Sequence, residues 1–372
     1  VISIPGPPTG IRAEPLAKEP FLDVFTYDAF DVISLLLDGA GPVVALDVGA
    51  NIGDLSVRLL HELPGASVFA FEPVPETFAR LQSRAASSPG LHPVHAAVGD
   101  REGQVQIRVL SDDRFSSVLP MSVECAGRYG PLSDQVATVN APLVRLDDWA
   151  SRYGVTNVHV MKVDVQGLEL DVLRGARRLL TDQLLAVKAE AQLIPQYEGA
   201  ATFSDIDLEL RSRGFVLHQI HELWPLGNER QHVCVDALWL KPTMLNALRV
   251  LTRGDATLER LIGFRRMLRT LASEGVQRLA LYGGGRHTRS LSPVIERSPV
   301  HVSCIIEDRT DLHGQSVAGL PIVSRNQALH MNLDAVVLSS DQFEADLWRS
   351  AQPLRTAGIR VEPLYEHHPL CA

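Results

Sequence analysis

The chain has 372 residues, 45% hydrophobic and 21% charged, which excludes an intrinsically disordered protein and, being too long for one ordinary core, predicts two domains. A formal net charge of -9 argues against binding to nucleic acid or to an anionic membrane surface. No apolar run reaches membrane length, the N-terminus shows no basic-then-apolar targeting pattern, and Cys125, Cys234, Cys304 and Cys371 lie far apart, so a reduced, cytoplasmic setting without a membrane span is expected.

After a proline-rich start, Phe21 to Leu37 carries apolar residues at helical spacing. Apolar strand runs follow at VVALDV, SVFAFEP, HPVHAAV, VHVMKVDV, LLAVKAE, GFVLHQI and VCVDALWL. Amphipathic stretches lie between most of them: LSVRLLHEL, PETFARLQSRAA, LELDVLRGARRLL and FSDIDLELRSRG. Strands too apolar to face water, alternating with helices, predict a parallel α/β sheet covered on both faces. Only HELWPLGNERQH separates the last two runs, too little for a helical crossover, so these two are expected to pair antiparallel. Between Gln104 and Arg145 the helical rhythm fails, and QVQIRVL and VATVNAPLVRL read as extended segments of a lid or side sheet. Near Lys241-Pro242 the alternation stops. A helical linker, MLNALRVLTRGDATLERLIGFRRMLRTLASEG, precedes a second, smaller α/β alternation built from VQRLALYGGG, VHVSCIIED, AGLPIVS, LDAVVLSS and IRVEPL. The predicted domains are therefore residues 1–242 and 243–372.

Ligands of an open parallel sheet bind beyond the carboxyl ends of the strands, where strand order reverses. The first such end is Asp47-Val48-Gly49-Ala50-Asn51-Ile52-Gly53. Gly49 permits a sharp turn, Gly53 a close helix, and Asn51 tolerates a left-handed backbone where a dinucleotide fingerprint would have glycine. Asp47 and Asp54 would repel a pyrophosphate. The next strand ends in Phe71-Glu72-Pro73, and an acid there accepts both hydroxyls of an adenosine ribose. A phosphate-free adenosine donor that carries positive charge, S-adenosylmethionine, fits this pattern. Singly, Asp54 could complement a helix N-terminus and Glu72 could sit in a solvated loop; together, at adjacent strand ends, they point to cofactor binding.

LDVGANIGDLS, AFEPVPETFARL, HAAVGDREGQVQI, FSSVLP, VRLDDWA, VMKVDVQGLELDVLRGA and KAEAQ follow, in order, the pattern of the FkbM family of S-adenosylmethionine-dependent methyltransferases, which residues 21–242 resemble. The resemblance implies a seven-stranded class I methyltransferase (Rossmann-like) sheet, followed here by a second, smaller Rossmann-like α/β domain. It further implies O-methylation of a sugar, glycan or secondary metabolite. Its cofactor contacts carry over onto Asp47, Gly49, Ala50, Asn51, Gly53, Glu72 and Pro73, with Ala97 and Val98 beside the adenine. Gln166 departs from the pattern, which usually has an acid in DVEG; any part that acid plays with a metal or substrate is weakened here.

Methyl transfer from a sulfonium needs the acceptor aligned and its proton removed. VMKVDV ends at Asp164 and LLAVKAE at Glu190, on strands that are neighbours in the usual methyltransferase order. The two acids are the catalytic candidates, as a base of raised pKa or as ligands of a divalent metal, with Asp164 also touching the donor's amino group. Lys162 and Lys188 lie two residues earlier on the same strand faces, so the acids could instead be structural counter-ions. His221 is a third candidate base, whereas His95 and His159 read as packing residues. Ser116, Ser117 and Trp224 are candidate acceptor contacts, with turn capping and a hydrophobic plug as the structural alternatives. N-methylation of an amino sugar and a non-catalytic nucleotide-binding scaffold are the competing readings.

In the C-terminal unit, ALYGGGRHTRSL is again strand, glycine loop and helix, with Thr288 where a third glycine belongs and with Glu307 and Asp308 closing the next strand. Arg286, His287 and Arg289 would welcome an anion. The unit reads either as a nucleotide or nucleotide-sugar site, or as a degenerate domain for docking or homo-oligomer formation, which the missing glycine favours.

Overall fold

A computed structural model describes residues 27–226 and 231–365. Contacts divide it into two compact units, residues 27–265 with 293–297, and residues 266–292 with 298–365. Phe21 to Thr26, residues 227–230 and Cys371 lie outside the described residues.

The first unit begins with α1 (Ala29–Leu37), capped by Asp28, whose carboxylate accepts from the N–H groups of Phe30 and Asp31. Then come β1 (Val44–Val48), α2 (Asp54–Glu62), β2 (Ser67–Phe71), α3 (Pro75–Ala85), β3 (Leu91–Val94), β4 (Ala97–Val98), β5 (Gly103–Leu110), α4 (Val123–Tyr129), β6 (Gln135–Val144) and α5 (Leu146–Tyr153). They are followed by β7 (Val158–Val163), α6 (Glu169–Gly175), α7 (Arg177–Asp182), β8 (Ala186–Gln192), α8 (Phe203–Ser212), β9 (Val216–Leu226), β10 (Gln231–Leu240) and α9 (Pro242–Leu251). The next helix, α10 (Leu258–Ser273), contains the point where contacts divide the units.

Seven strands form one sheet in the order β3-β2-β1-β7-β8-β10-β9. The first five are parallel, and β10 runs antiparallel to both β8 and β9, as the short connection requires. Strand order reverses between β1 and β7, which opens the crevice at their carboxyl ends. The core packs Leu46, Val48, Phe71, Met161, Val163 and Trp239 with Trp149, whose ring meets Phe71 edge-on at 4.8 Å. The extended segments predicted between Gln104 and Arg145 are β5 and β6, which pair antiparallel and, with β4, make a separate three-stranded sheet.

Three expectations need correction in detail. HPVHAAV is two strands: β3 stays in the large sheet, while Ala97 and Val98 cross to pair with Leu143 and Val144 of β6. LELDVLRGARRLL is two helices, because α6 comes so close to the turn before β5 that a Cβ on Gly175 would lie 2.0 Å from the Gly99 carbonyl oxygen. HELWPL is strand rather than loop, extending β9 to Leu226.

The second unit holds β11 (Arg278–Tyr282), α11 (Arg286–Ser290), β12 (His301–Ile306), β13 (Ser316–Val317), β14 (Leu320–Val323), β15 (Ala335–Leu338) and β16 (Arg360–Pro363). Its sheet order is β13-β14-β12-β11-β15-β16, parallel throughout except for β13. The five apolar runs read from the sequence are β11, β12, β14, β15 and β16. Among the described residues, no helix is long and apolar enough to cross a membrane.

Candidate active site

The loop after β1 turns through three left-handed residues, Gly49 (φ 78°), Asn51 (φ 48°) and Gly53 (φ 82°). A Cβ on Gly49 would lie 1.8 Å from the Asp164 carbonyl oxygen, so the ends of β1 and β7 approach each other through a bare backbone. A Cβ on Gly53 would lie 2.6 Å from Leu81 Cδ1 of α3. The amides of Gly49 and Ala50 both donate to the Phe71 carbonyl oxygen, at 3.1 and 2.9 Å, and so pin the loop to the end of β2.

Immediately beyond that end stands Glu72, 6% exposed. Its Oε2 accepts from the Asn51 N–H at 3.0 Å and its Oε1 from the Val74 N–H at 2.8 Å. Burial pushes its pKa up to about 7, against the pull of these two N–H groups and the Lys162 charge. Each oxygen keeps a further lone pair, enough for two hydroxyls.

Glu72 forms one wall of a cavity of about 500 Å³, with Pro73, Ala97 and Val98 beside it. Asp164 and Glu190 lie on the same cavity, as do Ser116 and Ser117 from the loop after β5. The hydroxyl of Ser117 donates to the Gln166 carbonyl oxygen at 2.6 Å, and that of Ser116 accepts from the Leu110 N–H at 3.2 Å, so both also hold the loop in shape. Gly49, Ala50 and Asn51 line the cavity too.

Asp47 and Gly53 are not part of its wall. Asp47 is 1% exposed beneath the loop, accepting from Ser56 Oγ at 2.6 Å and facing Lys162 Nζ at 3.4 Å. His221 also stands off the wall: it lies on β9, edge-on to Tyr27 at 6.5 Å, and burial lowers its pKa. Trp224 is opposite Cys234 in the β9–β10 ladder, and its side chain lies outside the described part. His159 Nδ1 accepts from the Val44 N–H, and His95 Nε2 donates to the Pro73 carbonyl oxygen, both at 3.1 Å; these are structural bonds.

The lysines treat the two acids differently. Lys162 and Lys188 are register partners on β7 and β8, with Asp164 and Glu190 two residues further along. Lys162 Nζ donates to the Gly49 carbonyl oxygen at 2.6 Å and sits 3.5 Å from Asp164 Oδ2. Lys188 Nζ turns the other way, to Asp236 Oδ1 of β10 at 2.6 Å. Asp164 therefore has a lysine partner, and Glu190 has none among the described residues. Burial opposes the charge of Asp164, but Lys162 and Lys188 outweigh it and hold the pKa below the usual carboxylate value. Burial and then the charges of Asp164, Glu169 and Asp236 push Glu190 well above it. The environments of the two acids are thus pushed apart.

The model of the methyltransferase FkbM domain matches residues 47–217. The 2-O-methyltransferase NoeI of Sinorhizobium fredii is 30% identical over 188 residues, which cover 45% of this chain and 77% of the relative. The chain belongs to the FkbM methyltransferase family. Hexuronic acid methyltransferase AglP of Haloferax volcanii is 31% identical over 40% of this chain and 57% of its own length. The 31-O-demethyl-FK506 methyltransferase FkbM of Streptomyces tacrolimicus is 28% identical over 47% of this chain and 73% of its own.

In this FkbM-family methyltransferase, Gln166 departs furthest from what its sequence position suggested. Its Nε2 donates to Asp164 Oδ1 at 2.8 Å and to Glu190 Oε1 at 3.2 Å, while its Oε1 accepts from the Tyr197 hydroxyl at 2.7 Å. The amide thus fills the bridging position between the two acids that a shared divalent cation would take, so the residues as arranged do not fit a metal between Asp164 and Glu190. Among the described residues, no group of three or more His, Cys, Asp or Glu side chains is arranged to hold one. Tyr197, 1% exposed, and Glu169, whose carboxylate accepts from the Val165 and Gly167 N–H groups, were not legible as site residues. Both act on the loop after β7, and nothing in their spacing marks it.

The C-terminal glycine loop is closed at Gly284 by a side chain from the end of β12. The Gly284 N–H donates to Glu307 Oε2 at 2.9 Å, and the other Glu307 oxygen accepts from the Asp308 and Arg309 N–H groups. Asp308 accepts from the Tyr282 hydroxyl at 2.8 Å and from Arg325 Nε at 2.9 Å. Thr288, in place of the third glycine, donates to Ser339 Oγ at 2.8 Å. His287 is buried against Ser339, while Arg286 and Arg289 are exposed.

Proposed function

We propose that this methyltransferase uses S-adenosylmethionine to methylate a hydroxyl of a sugar, glycan or secondary metabolite in the cytoplasm. One observation carries the reading: a single cavity joins Glu72, at the end of β2, to Asp164 and Glu190, beyond the ends of β7 and within β8. The first position suits a ribose diol and the second a transfer site.

When bound, S-adenosylmethionine supplies a methyl group already activated on a sulfonium. The remaining lone pairs of Glu72 take the ribose hydroxyls, and Ala97 and Val98 flank the adenine. Asp164, held charged by Lys162, binds the donor's ammonium. Glu190 accepts the acceptor's proton as the acceptor oxygen gains the methyl group and the sulfur becomes a neutral thioether. Ser116 and Ser117 meet the acceptor from the loop above. Catalysis resides in residues 1–242. The closed glycine loop supports a docking or homo-oligomerising role for residues 243–372.

The names of NoeI and FkbM support transfer to an oxygen, and that of AglP supports a sugar acid as acceptor. A specific observation favours an amine as the second reading. The cavity wall carries five carboxyl groups, Asp54, Glu72, Asp113, Asp164 and Glu190. Its two cations, Arg114 and Lys162, are both already paired, Arg114 to Asp112 at 2.6 Å and Lys162 to Asp47 and Asp164. Asp54 and Asp113 are paired too, to Arg84 and Arg80, which leaves Glu72 and Glu190 without a cationic partner among the described residues, a wall better suited to neutral or cationic acceptors than to anionic ones.

The test is ligand-induced thermal stabilisation of the full chain by S-adenosylhomocysteine, set against NAD(H). A ligand at 100 times its Kd stabilises by about 2.7 kcal/mol, a shift of a few degrees. Stabilisation by NAD(H) and none by S-adenosylhomocysteine would sink the reading. Transfer of a radiolabelled methyl group to neutral sugars, amino sugars and uronic acids then ranks the acceptors.

A further inference from the structure

We propose that Gln166 is a positioning residue whose side-chain amide ties Asp164 to Glu190, so that the transfer site is assembled without a divalent cation. The proposal rests on the methyltransferase reading of the cavity and says how its acid pair is held.

Two carboxyl groups side by side in a partly buried cleft repel each other unless something positive or hydrogen-donating lies between them. Many oxygen-rich sites use a cation for this. Here the group between them is an amide, whose Nε2 reaches Asp164 Oδ1 at 2.8 Å and Glu190 Oε1 at 3.2 Å. The amide has two N–H donors, and both are spent on these contacts. Behind it the Tyr197 hydroxyl, with one proton for two acceptors, lies 2.7 Å from Gln166 Oε1 and 3.0 Å from the Phe115 carbonyl oxygen, and the carboxylates in front turn the N–H groups toward themselves. Reversing the amide would face its oxygen to the carboxylates and its N–H groups to that hydroxyl.

The backbone is committed to the same purpose. Gln166 sits at φ 56°, a left-handed conformation that glutamine rarely adopts, followed by Gly167 at φ 108°. Its carbonyl oxygen accepts from Ser117 Oγ at 2.6 Å, and the Val165 and Gly167 N–H groups on either side are held by the Glu169 carboxylate. A Cβ on Gly167 would lie 3.3 Å from Tyr197 Cβ, so the turn is packed directly on the tyrosine behind the amide.

The clamp leaves the two acids with different freedom. Asp164 has both oxygens engaged, Oδ1 by Gln166 and Oδ2 by Lys162 at 3.5 Å. Glu190 has Oε1 on the amide, and its Oε2 has no protein partner among the described residues. Glu190 Oε2 is therefore the open acceptor on the cavity, and Gln166 fixes the carboxyl from which it projects.

The experiment compares the wild-type full chain with Gln166→Glu and Gln166→Met, measuring melting temperature with Mn²⁺ alone and S-adenosylhomocysteine affinity with EDTA or with Mn²⁺. The wild type is expected to show neither a Mn²⁺-dependent melting shift nor any effect of EDTA. Gln166→Glu removes both donors and brings a third carboxylate to the pair. Its S-adenosylhomocysteine affinity should fall roughly tenfold in EDTA and recover with Mn²⁺. Gln166→Met should show the same fall without recovery. A residue that merely stabilises the loop would give equal losses in both variants and no rescue, and that overturns the proposal. It is equally overturned by a Mn²⁺-induced melting shift in the wild type that disappears in Asp164→Asn. Should Gln166→Glu fail to fold, an unchanged affinity in Gln166→Met or a Mn²⁺-induced melting shift in the wild type still overturns the proposal. A wild type that binds no S-adenosylhomocysteine defeats the donor reading instead, and its response to Mn²⁺ alone still judges the clamp.

Discussion

Asp164 and Glu190 look equivalent in the sequence, each closing an apolar run with a lysine two residues before it. Their neighbours separate them: Lys162 reaches Asp164, whereas Lys188 is taken by Asp236. Two substitutions test the division of labour. Asp164→Asn should lower S-adenosylhomocysteine affinity at least tenfold and abolish turnover while the protein stays folded, because the asparagine oxygen can keep the Gln166 bond. Glu190→Gln should lower kcat about 100- to 10,000-fold and leave S-adenosylhomocysteine affinity within about threefold. Equal losses of affinity in both variants would undo the assignment. The lysine itself is structural. Lys162→Met would strand Asp47, 1% exposed, without its counter-charge, and should cost about 3–5 kcal/mol in a urea titration.

At the scale of elements, the site depends on β1 and β7 ending almost in contact. Gly49 and Gly65 share a left-handed backbone, at φ 78° and 81°, but only at Gly49 would a Cβ strike something, the Asp164 carbonyl oxygen at 1.8 Å. Gly65→Ala therefore carries backbone strain alone, about 1–2 kcal/mol. Gly49→Ala must also part the two strands, and should cost over about 3 kcal/mol and lose S-adenosylhomocysteine binding. Equal melting temperatures for the two variants would show that the close approach is not needed. Apolar runs made every strand of the large sheet legible, most plainly the central parallel ones, because a parallel strand buried on both faces has no other way to read. What stayed hidden was set by register and by side chains from distant elements. Nothing local says that Ala97 leaves β3 for β6, or that Asp236 comes round on an antiparallel strand to meet Lys188. Glu72 was readable because a strand end is a fixed place in such a sheet. The use of Gln166 was not, since it depends on Tyr197, 31 residues away.

For the whole seven-stranded unit, the buried acids fix a pH dependence whose sign can be worked out. Burial raises Glu72 and Glu169 to about 7 from the ordinary 4.5, and burial with the neighbouring acids raises Glu190 well above its ordinary value. A carboxyl with a folded pKa above its unfolded value holds extra protons in the folded state between the two. Its stabilisation is complete below about 4.5 and is lost as pH rises through 7, with a slope of up to about 1.4 kcal/mol per pH unit for each group. Asp28, in spite of its burial, is held low by Arg58, and Asp164 by its lysines; their stabilisation is present above about 4 and lost as pH falls through their folded pKa values. The ligand-free unit should therefore melt highest near about pH 4 to 5 and lose several kcal/mol by pH 8. The donor site pulls the other way. Two ribose hydroxyls need Glu72 ionised, with Lys162 favouring that form and Asp113 opposing it, so S-adenosylhomocysteine should bind with release of a proton near pH 6 and more tightly at pH 8. Melting curves recorded with and without S-adenosylhomocysteine should thus diverge as pH rises from 6 to 8. A gap that narrows instead would mean that Glu72 does not receive the ribose, and a ligand-free melting temperature that climbs steadily to pH 8 would mean that these acids are not held neutral by burial.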